Sequence, residues 1–362
     1  MRKFKIGLIG LGGVAEAHLA GYRLLDSVEV VAAAELREDR RDRMAAEWGL
    51  RGYSSFEEML AREPLDVVCV LTPARTHREV IERAAPYGVN ILCEKPLATT
   101  MQDAQSILEE CNRAGIRLCY GASYRFLPAC RKAKQMIDEG LLGRVTLMLE
   151  TSIGGQGVKN YHDLGSAHYP AGTPGGGGMG LVDHGVHLID LFSWFTGSRV
   201  MEVFGRGACS ERPPCIEFLT MLFEDDAVGQ LIYNEATFPS DLPNEGIFSL
   251  GSAWDINGLQ PGGGWAPHPG NIRVHGEEGA LRIFHYANKL HHSCSAGIRE
   301  IPLPDWPMPG NFARQMQSFV ARIREGREPE VSGLDGVRAL QVVLATYESF
   351  ELRRAVRIEP RL

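Results

Sequence analysis

Three residues in this chain have the types and settings for proton chemistry. Lys95 sits in CEKP, directly after the apolar run VNIL. A lysine there is partly desolvated, and desolvation together with a neighbouring cation lowers an ammonium pKa. Such an amine can exchange a proton with a hydroxyl near neutral pH. Far along the chain, Asp183 and His187 lie four apart in LVDHGVHLIDLFSWFTG. On a helix that spacing puts them on one face, above Leu191 and Phe195. A carboxylate that orients and an imidazole that moves a proton suit the oxidation of an alcohol. Each has a plainer reading too: Lys95 as a strand-end lysine facing water, Asp183 as an N-cap or first-turn acid. His184 and His187 form H-x-x-H, but no third ligand accompanies them and no metal is expected.

A glycine pattern forms the second constellation. The apolar run KIGLI leads into Gly10-Leu11-Gly12-Gly13-Val14-Ala15, which fits G-x-G-x-x-A at Gly10, Gly12 and Ala15. Gly10 permits a tight turn from strand to helix, Gly12 lets a pyrophosphate approach the backbone, and Ala15 lets helix and strand pack closely. Free N–H groups at the helix start then face the phosphates. The apolar strand VEVVAAA ends at Glu35, 20 residues after Ala15. An acid there accepts hydrogen bonds from ribose hydroxyls, which favours NAD, because a 2′-phosphate would be repelled. Arg37, Arg40 and Arg41 keep NADP possible, although ELREDRRDR also reads as a solvated helix face.

The elements that position these groups follow from periodicity. DVVCVLT (66–72), VNILCEKP (89–96) and IRLCYG (116–121) read as strands, separated by helices over Arg75–Ala85 and from Thr99 or Thr100 to Ala114. That alternation means a parallel sheet with helices on both faces, and ligands bind at the carboxyl ends of its strands. Thr72-Pro73, with His77 nearby, and Glu94-Lys95-Pro96 fall at such ends. After Tyr124 the pattern changes. One helix starts near Pro128 and is closed by Gly140. Strands then follow at 144–152, 201–208, 216–225, 227–238, 247–255, 272–276 and 280–286, with FEDDAVG and HGEEGAL as hairpin connections. Helices over Asn311–Glu325 and Leu334–Arg354 are expected to pack back on the body.

The expected fold class is therefore α/β: a dinucleotide-binding, doubly wound parallel sheet at 1–123, then an α+β domain at 124–362 with a large open, mostly antiparallel sheet. An open sheet face is a natural contact between copies, so a homodimer or homotetramer is expected. The net charge of −7 and the lack of a basic patch argue against nucleic acid. No run of 18 apolar residues suggests a membrane span. The start MRKFK followed by IGLIGLGGVA mimics a signal peptide, but the glycine spacing accounts for it better. Eight cysteines include no C-x-x-C pair, and several lie in apolar runs. They read as reduced thiols, consistent with a cytoplasmic chain.

Taken together, KIGLIGLGGVAEAHLAGY, VCVLTPARTHREVIERAA, CEKPLATT, SYRFLPA, GGGGMGLVDHGVHLIDLFSWFTG and DGVRALQVVLATYESFELRRAV resemble the glucose–fructose oxidoreductase / inositol dehydrogenase (Gfo/Idh/MocA) family, in the family's order over nearly the whole chain. The resemblance implies a Rossmann domain with NAD(P) at Gly10, Gly12 and Glu35, and Thr72, Pro73, His77 and Glu94 lining the nicotinamide end. It implies Lys95, Asp183 and His187 as the catalytic trio, with either Lys95 or His187 as the base. Arg125, in R-F-x-P, is implied near cofactor or substrate. The implied activity is hydride transfer between nicotinamide and a sugar, inositol or related polyol. A non-catalytic dinucleotide sensor or repressor, and redox-neutral glycoside cleavage or epimerisation with bound NAD, are the alternatives. The loop Gly154–Pro174 departs from the family in its length and its Tyr and His content. Tyr161, His162, His168 and Tyr169 there either contact substrate or belong to surface or an oligomer contact. The tryptophans of Trp254–Gly270 could stack on a sugar face.

Overall fold

The computed structural model describes residues 2–153, 180–208, 216–234, 272–285, 287–305 and 309–359. Tyr161, His162, His168, Tyr169, the strand expected at 247–255 and the segment 254–270 lie outside these residues. The chain divides into two units, Met1–Ser123 with Pro309–Leu340, and Tyr124–Met308 with Gln341–Leu362.

The first unit holds six strands, β1 (Phe4–Ile9), β2 (Val28–Ala34), β3 (Arg51–Tyr53), β4 (Val67–Val70), β5 (Asn90–Cys93) and β6 (Leu118–Tyr120), in the order β3-β2-β1-β4-β5-β6 and all parallel. Helices α1 (Gly13–Tyr22), α2 (Glu38–Trp48), α3 (Phe56–Arg62), α4 (His77–Ala84) and α5 (Met101–Ala114) connect them. β4 reads VVCV and is buried throughout, as a central strand covered on both faces must be. Strand β3 and helix α3 were not read from the sequence; β3 is short and mostly exposed, so it lacks a periodic apolar signal. Thr100 caps α5 by accepting from the Asp103 amide at 3.1 Å.

The second unit opens with α6 (Pro128–Asp138) and contains a nine-stranded sheet. Its strands are β7 (Val145–Ile153), β8 (Val200–Ala208), β9 (Ile216–Phe223), β10 (Val228–Asn234), β11 (Ile272–Gly276), β12 (Gly279–Phe284), β13 (Lys289–Cys294), β14 (Gly297–Glu300) and β15 (Val356–Arg357). They are ordered β14-β13-β12-β11-β7-β10-β9-β8-β15. Only the β7–β10 pair is parallel. In β9, Leu219, Met221 and Phe223 are buried, while Phe218, Thr220 and Leu222 face the other side. Such alternation marks a sheet with one covered face. The β9–β10 connection turns at Asp226, whose φ of 66° an acid tolerates better than most residues. β13 and β14 extend the sheet beyond the strands anticipated.

Between β7 and β8, one helix was expected from Leu181 onward. Instead, Gly180–Gly185 forms a π turn, and regular helix begins with α7 (Val186–Thr196). Val186, Leu188, Leu191, Phe192 and Phe195 are buried. Near the C-terminus lie α8 (Gly310–Glu325) and α9 (Gly333–Leu352). α8 belongs to the first unit, where Met316, Phe319 and Val320 join Leu19 and Tyr22 of α1 in one core.

Candidate active site

In the first unit the site is built where β1 turns into α1. Gly10 has φ +91°, a conformation that L side chains rarely adopt, and a Cβ there would meet the Leu71 backbone at 3.1 Å. α1 starts after Gly12 with no side-chain cap, and a Cβ on Gly12 or Gly13 would meet nothing within 4 Å. The helix start therefore presents bare amides to open space, which is what a pyrophosphate requires. Val14 is half-buried behind it and Ala15 fully buried. Glu35, just past β2, accepts from the amides of Leu11 and Arg37, each at 2.9 Å. These two bonds hold its carboxylate beside the turn, and the residue stays half-buried. Nearby, Arg37 is paired with Asp39 at 2.9 Å. These residues fit a dinucleotide.

The ends of β4 and β5 carry the other anticipated groups of this unit. Thr72 and Pro73 are half-buried, and Thr72 accepts from the Thr76 hydroxyl at 2.9 Å. His77 is fully buried: its Nε2 faces the Thr72 carbonyl at 2.8 Å and its Nδ1 the Leu97 carbonyl at 3.1 Å. It ties the two strand-end loops together. Lys95 is half-buried, and its amide donates to Glu94 Oε2 at 3.0 Å.

Glu94 heads a buried series. Its Oε1 faces His18 Nε2 at 2.8 Å, His18 Nδ1 faces the Tyr22 hydroxyl at 2.7 Å, and that hydroxyl lies 3.4 Å from Cys69 Sγ. An ionised carboxylate only accepts, so His18 donates to it from Nε2, and Nδ1 shares the second bond with Tyr22. Burial pushes the Tyr22 phenol well up and the Cys69 thiol up to about 12, so both keep their protons. Sequence reading missed His18 and Tyr22. Their signal was a His and a Tyr four apart on the buried face of α1.

The second unit gathers a separate cluster. His187 opens α7 and is buried, as is His184 in the π turn; Asp183, in the same turn, is half-buried. π turns are rare and often mark functional positions. Here Glu217 holds the turn, accepting from the Leu181 amide at 2.9 Å and from the Tyr347 hydroxyl at 3.1 Å. His184 faces Glu150 Oε2 at 2.9 Å and the Tyr124 hydroxyl at 3.2 Å. Tyr233 donates to the same Glu150 oxygen at 3.1 Å. Burial pushes the Glu150 carboxyl up, but the charge and hydrogen bond of His184, with His285 and Tyr233, outweigh it and hold the group below its ordinary value. Burial takes His285 down to about 4, against the pull of Glu150. It is therefore neutral near pH 7.

Arg125 forms a buried fork with Asp190 of α7, at 2.8 Å and 2.5 Å. None of Glu150, Glu217, Tyr233 and His285 was picked from the sequence. Glu150 and Glu217 are acids at inward positions of otherwise alternating strands, which was their signal. Among the described residues no group of three His, Cys, Asp or Glu side chains is arranged to hold a metal ion, and no helix is long and apolar enough to cross a membrane.

Residues 4–122 match the family profile described as "Oxidoreductase family, NAD-binding Rossmann fold", and residues 134–358 match "Oxidoreductase family, C-terminal alpha/beta domain". The chain is 26% identical over 372 residues to the D-apiose dehydrogenase of Paraburkholderia graminis, covering 99% of this chain and 91% of that one. It is 23% identical to the myo-inositol 2-dehydrogenase of Thermotoga maritima, covering 98% of each. Among solved structures, the aldose-aldose oxidoreductase of Caulobacter crescentus, complexed with glycerol, matches with a TM-score of 0.79 at 22% identity, over 98% of this chain and 100% of that one. That last likeness is one of fold. The profiles together span nearly the whole chain, and it belongs to the Gfo/Idh/MocA oxidoreductase family.

Proposed function

We propose that the chain is an NAD-dependent dehydrogenase or reductase that works on a hydroxyl or carbonyl carbon of a sugar, inositol or related polyol. The observation that carries this reading is the open glycine turn on an uncapped helix start, with the Glu35 carboxylate fixed beside it. The named relatives, dehydrogenases of D-apiose and of myo-inositol, support a polyhydroxy substrate.

The nicotinamide, when bound, supplies the hydride acceptor or donor. The chain's residues do the rest. Gly10, Gly12, Gly13, Val14 and Ala15 form the phosphate turn, and Glu35 takes the ribose hydroxyls. Its negative charge disfavours a 2′-phosphate, and the pairing of Arg37 with Asp39 removes one cation that would compensate. Thr72, Pro73 and Glu94 line the nicotinamide end, and His77 braces the loops that carry them. Lys95 and His187 exchange the hydroxyl proton, while Asp183 orients the substrate and His187. Arg125 acts through its fork with Asp190, which fixes the helix that presents His187. Copies of the chain pair through the open sheet face, where Leu147, Val228 and Leu222 form one cross-strand row and Phe204 lies near Phe218. Light scattering of the purified chain tests that pairing.

The first test is fluorescence titration with NADH and NADPH, followed by a sugar and polyol panel read by reduced-cofactor absorbance. NADH is expected to bind more tightly. Lys95→Ala is expected to lower kcat by about 10²- to 10⁴-fold on any substrate found, with NADH binding retained. Failure to bind either cofactor would end the proposal, and an unimpaired Lys95→Ala would remove Lys95 from proton transfer.

A further inference from the structure

On the covered face of the nine-stranded sheet, the register aligns Leu219, Leu231, Glu150, Ile272, Ile283 and Leu290 in one row. A fully buried carboxylate interrupts this apolar row. Such a charge is costly without partners, and its partners run in a definite direction. Ionised Glu150 accepts, so His184 Nε2 donates to it at 2.9 Å. The other ring nitrogen of His184, Nδ1, shares a hydrogen bond with the Tyr124 hydroxyl at 3.2 Å. Tyr124 is thus held by its oxygen while its ring lies against His187, with centroids 4.2 Å apart and planes 6° from parallel. A cation over a ring face is attracted to it, so an imidazolium at His187 gains from lying against the Tyr124 ring.

We infer that Tyr124 is a positioning residue: anchored through its hydroxyl on the buried Glu150–His184 pair, it fixes the plane of the His187 ring and favours the imidazolium formed when His187 takes a proton. The inference rests on the proposed role of His187 in proton transfer. The elements packed around α7 and its π turn carry several titratable and charged groups. Asp183 and His184 come from the π turn, Asp190 from α7, Arg125 from the turn that carries Tyr124, and Glu150 from β7. Glu217 comes from β9, Tyr233 from β10 and His285 from the end of β12. Arg131 and Lys134 of α6 lie over Trp194, farther along α7. Asp190 is forked with Arg125, Glu217 holds Leu181 and Tyr347, and Glu150 holds His184 and Tyr233. The ring stacked on His187 is that of Tyr124.

The test follows imidazole titration by ¹H–¹⁵N NMR in the full chain, with His187 assigned through His187→Gln, beside steady-state kinetics on the same proteins. In Tyr124→Leu the His187 midpoint is expected to fall by about half a pH unit to one unit, and kcat to fall about 10- to 100-fold with KM little changed. Tyr124→Phe keeps the stack. It should leave the His187 midpoint near wild type while moving the Nδ1 resonance of His184, which loses its hydrogen-bond partner on Tyr124. It also carries the test if the leucine variant does not fold. An unmoved His187 midpoint in Tyr124→Leu, or an unmoved His184 Nδ1 resonance in Tyr124→Phe, overturns the inference. If both move as expected while wild type turns over no polyol, the positioning stands and the proposed reaction fails.

Discussion

Acidification from pH 7 to pH 5 is expected to destabilise the sheet-bearing unit through one buried imidazole, His285. The residue is 1% exposed, and burial takes its pKa from the ordinary 6.5 down to about 4. As pH falls, the unfolded chain takes up this proton near 6.5, whereas the folded chain does so only near 4. Between those values the unfolded state binds more protons, so stability falls as pH falls. The full gap corresponds to about 3 kcal/mol, of which about 2 kcal/mol is lost by pH 5, where ordinary carboxylates remain ionised. For a unit of this size that amounts to a drop in Tm of about 4–8 °C. Thermal unfolding of wild type and His285→Gln across pH 7 to 5 measures it. The variant has no proton to take up at this site, so its curve should be flatter by that amount. Parallel curves would show that His285 does not titrate as its burial dictates.

Two substitutions extend the argument to other groups. Asp190→Ala leaves the Arg125 guanidinium buried without its fork and should cost about 3–5 kcal/mol in urea unfolding, whereas Arg125→Met with Asp190→Leu should recover most of the loss; equal losses in both would show that the fork contributes no specific stability. Glu35→Ser removes the charge that opposes a 2′-phosphate and the acceptor for ribose, so the NADH/NADPH affinity ratio should fall about 10- to 100-fold by fluorescence titration, and an unchanged ratio would remove Glu35 from cofactor choice.

The parallel sheet was legible because its strands are continuous apolar runs and its helices start at recognisable residues, such as Thr100 before α5. The glycine turn and Glu35 were legible for the same reason: their work is local, within one strand–turn–helix–strand unit. Glu150 and Glu217 were not, because their burial depends on partners far along the chain, Glu150 on Tyr233 and Glu217 on Tyr347. The π turn was equally hidden. LVDHGVHLIDLF carries an ordinary helical spacing, and only the bond from Leu181 to Glu217 shows how the start of the turn is held. Arg125 could be picked from R-F-x-P, but its pairing with Asp190 spans 65 positions and periodicity cannot register it.

The two units share a chemical device. In one, carboxylate, imidazole and phenol follow in series as Glu94, His18 and Tyr22; in the other they follow as Glu150, His184 and Tyr124. The order has a physical cause. A buried carboxylate needs a donor, and an imidazole that donates from one nitrogen still has a second polar nitrogen to satisfy. A phenol, which can donate or accept, meets that nitrogen with a rigid side chain that is otherwise apolar. Each series therefore runs from carboxylate to phenol through buried hydrogen bonds. Each also touches a residue proposed to move a proton. Glu94 takes the Lys95 amide at 3.0 Å, and Tyr124 stacks on His187 at 4.2 Å. A group that gains and loses charge during reaction pulls on its surroundings at each change. A neighbour already held by buried hydrogen bonds has less reason to rearrange, which is the advantage of a preorganised site. Glu94→Gln tests the equivalence: it should leave cofactor affinity within a few-fold and lower kcat on the substrate found, as Tyr124→Leu does. A variant with full turnover would confine the device to structural support.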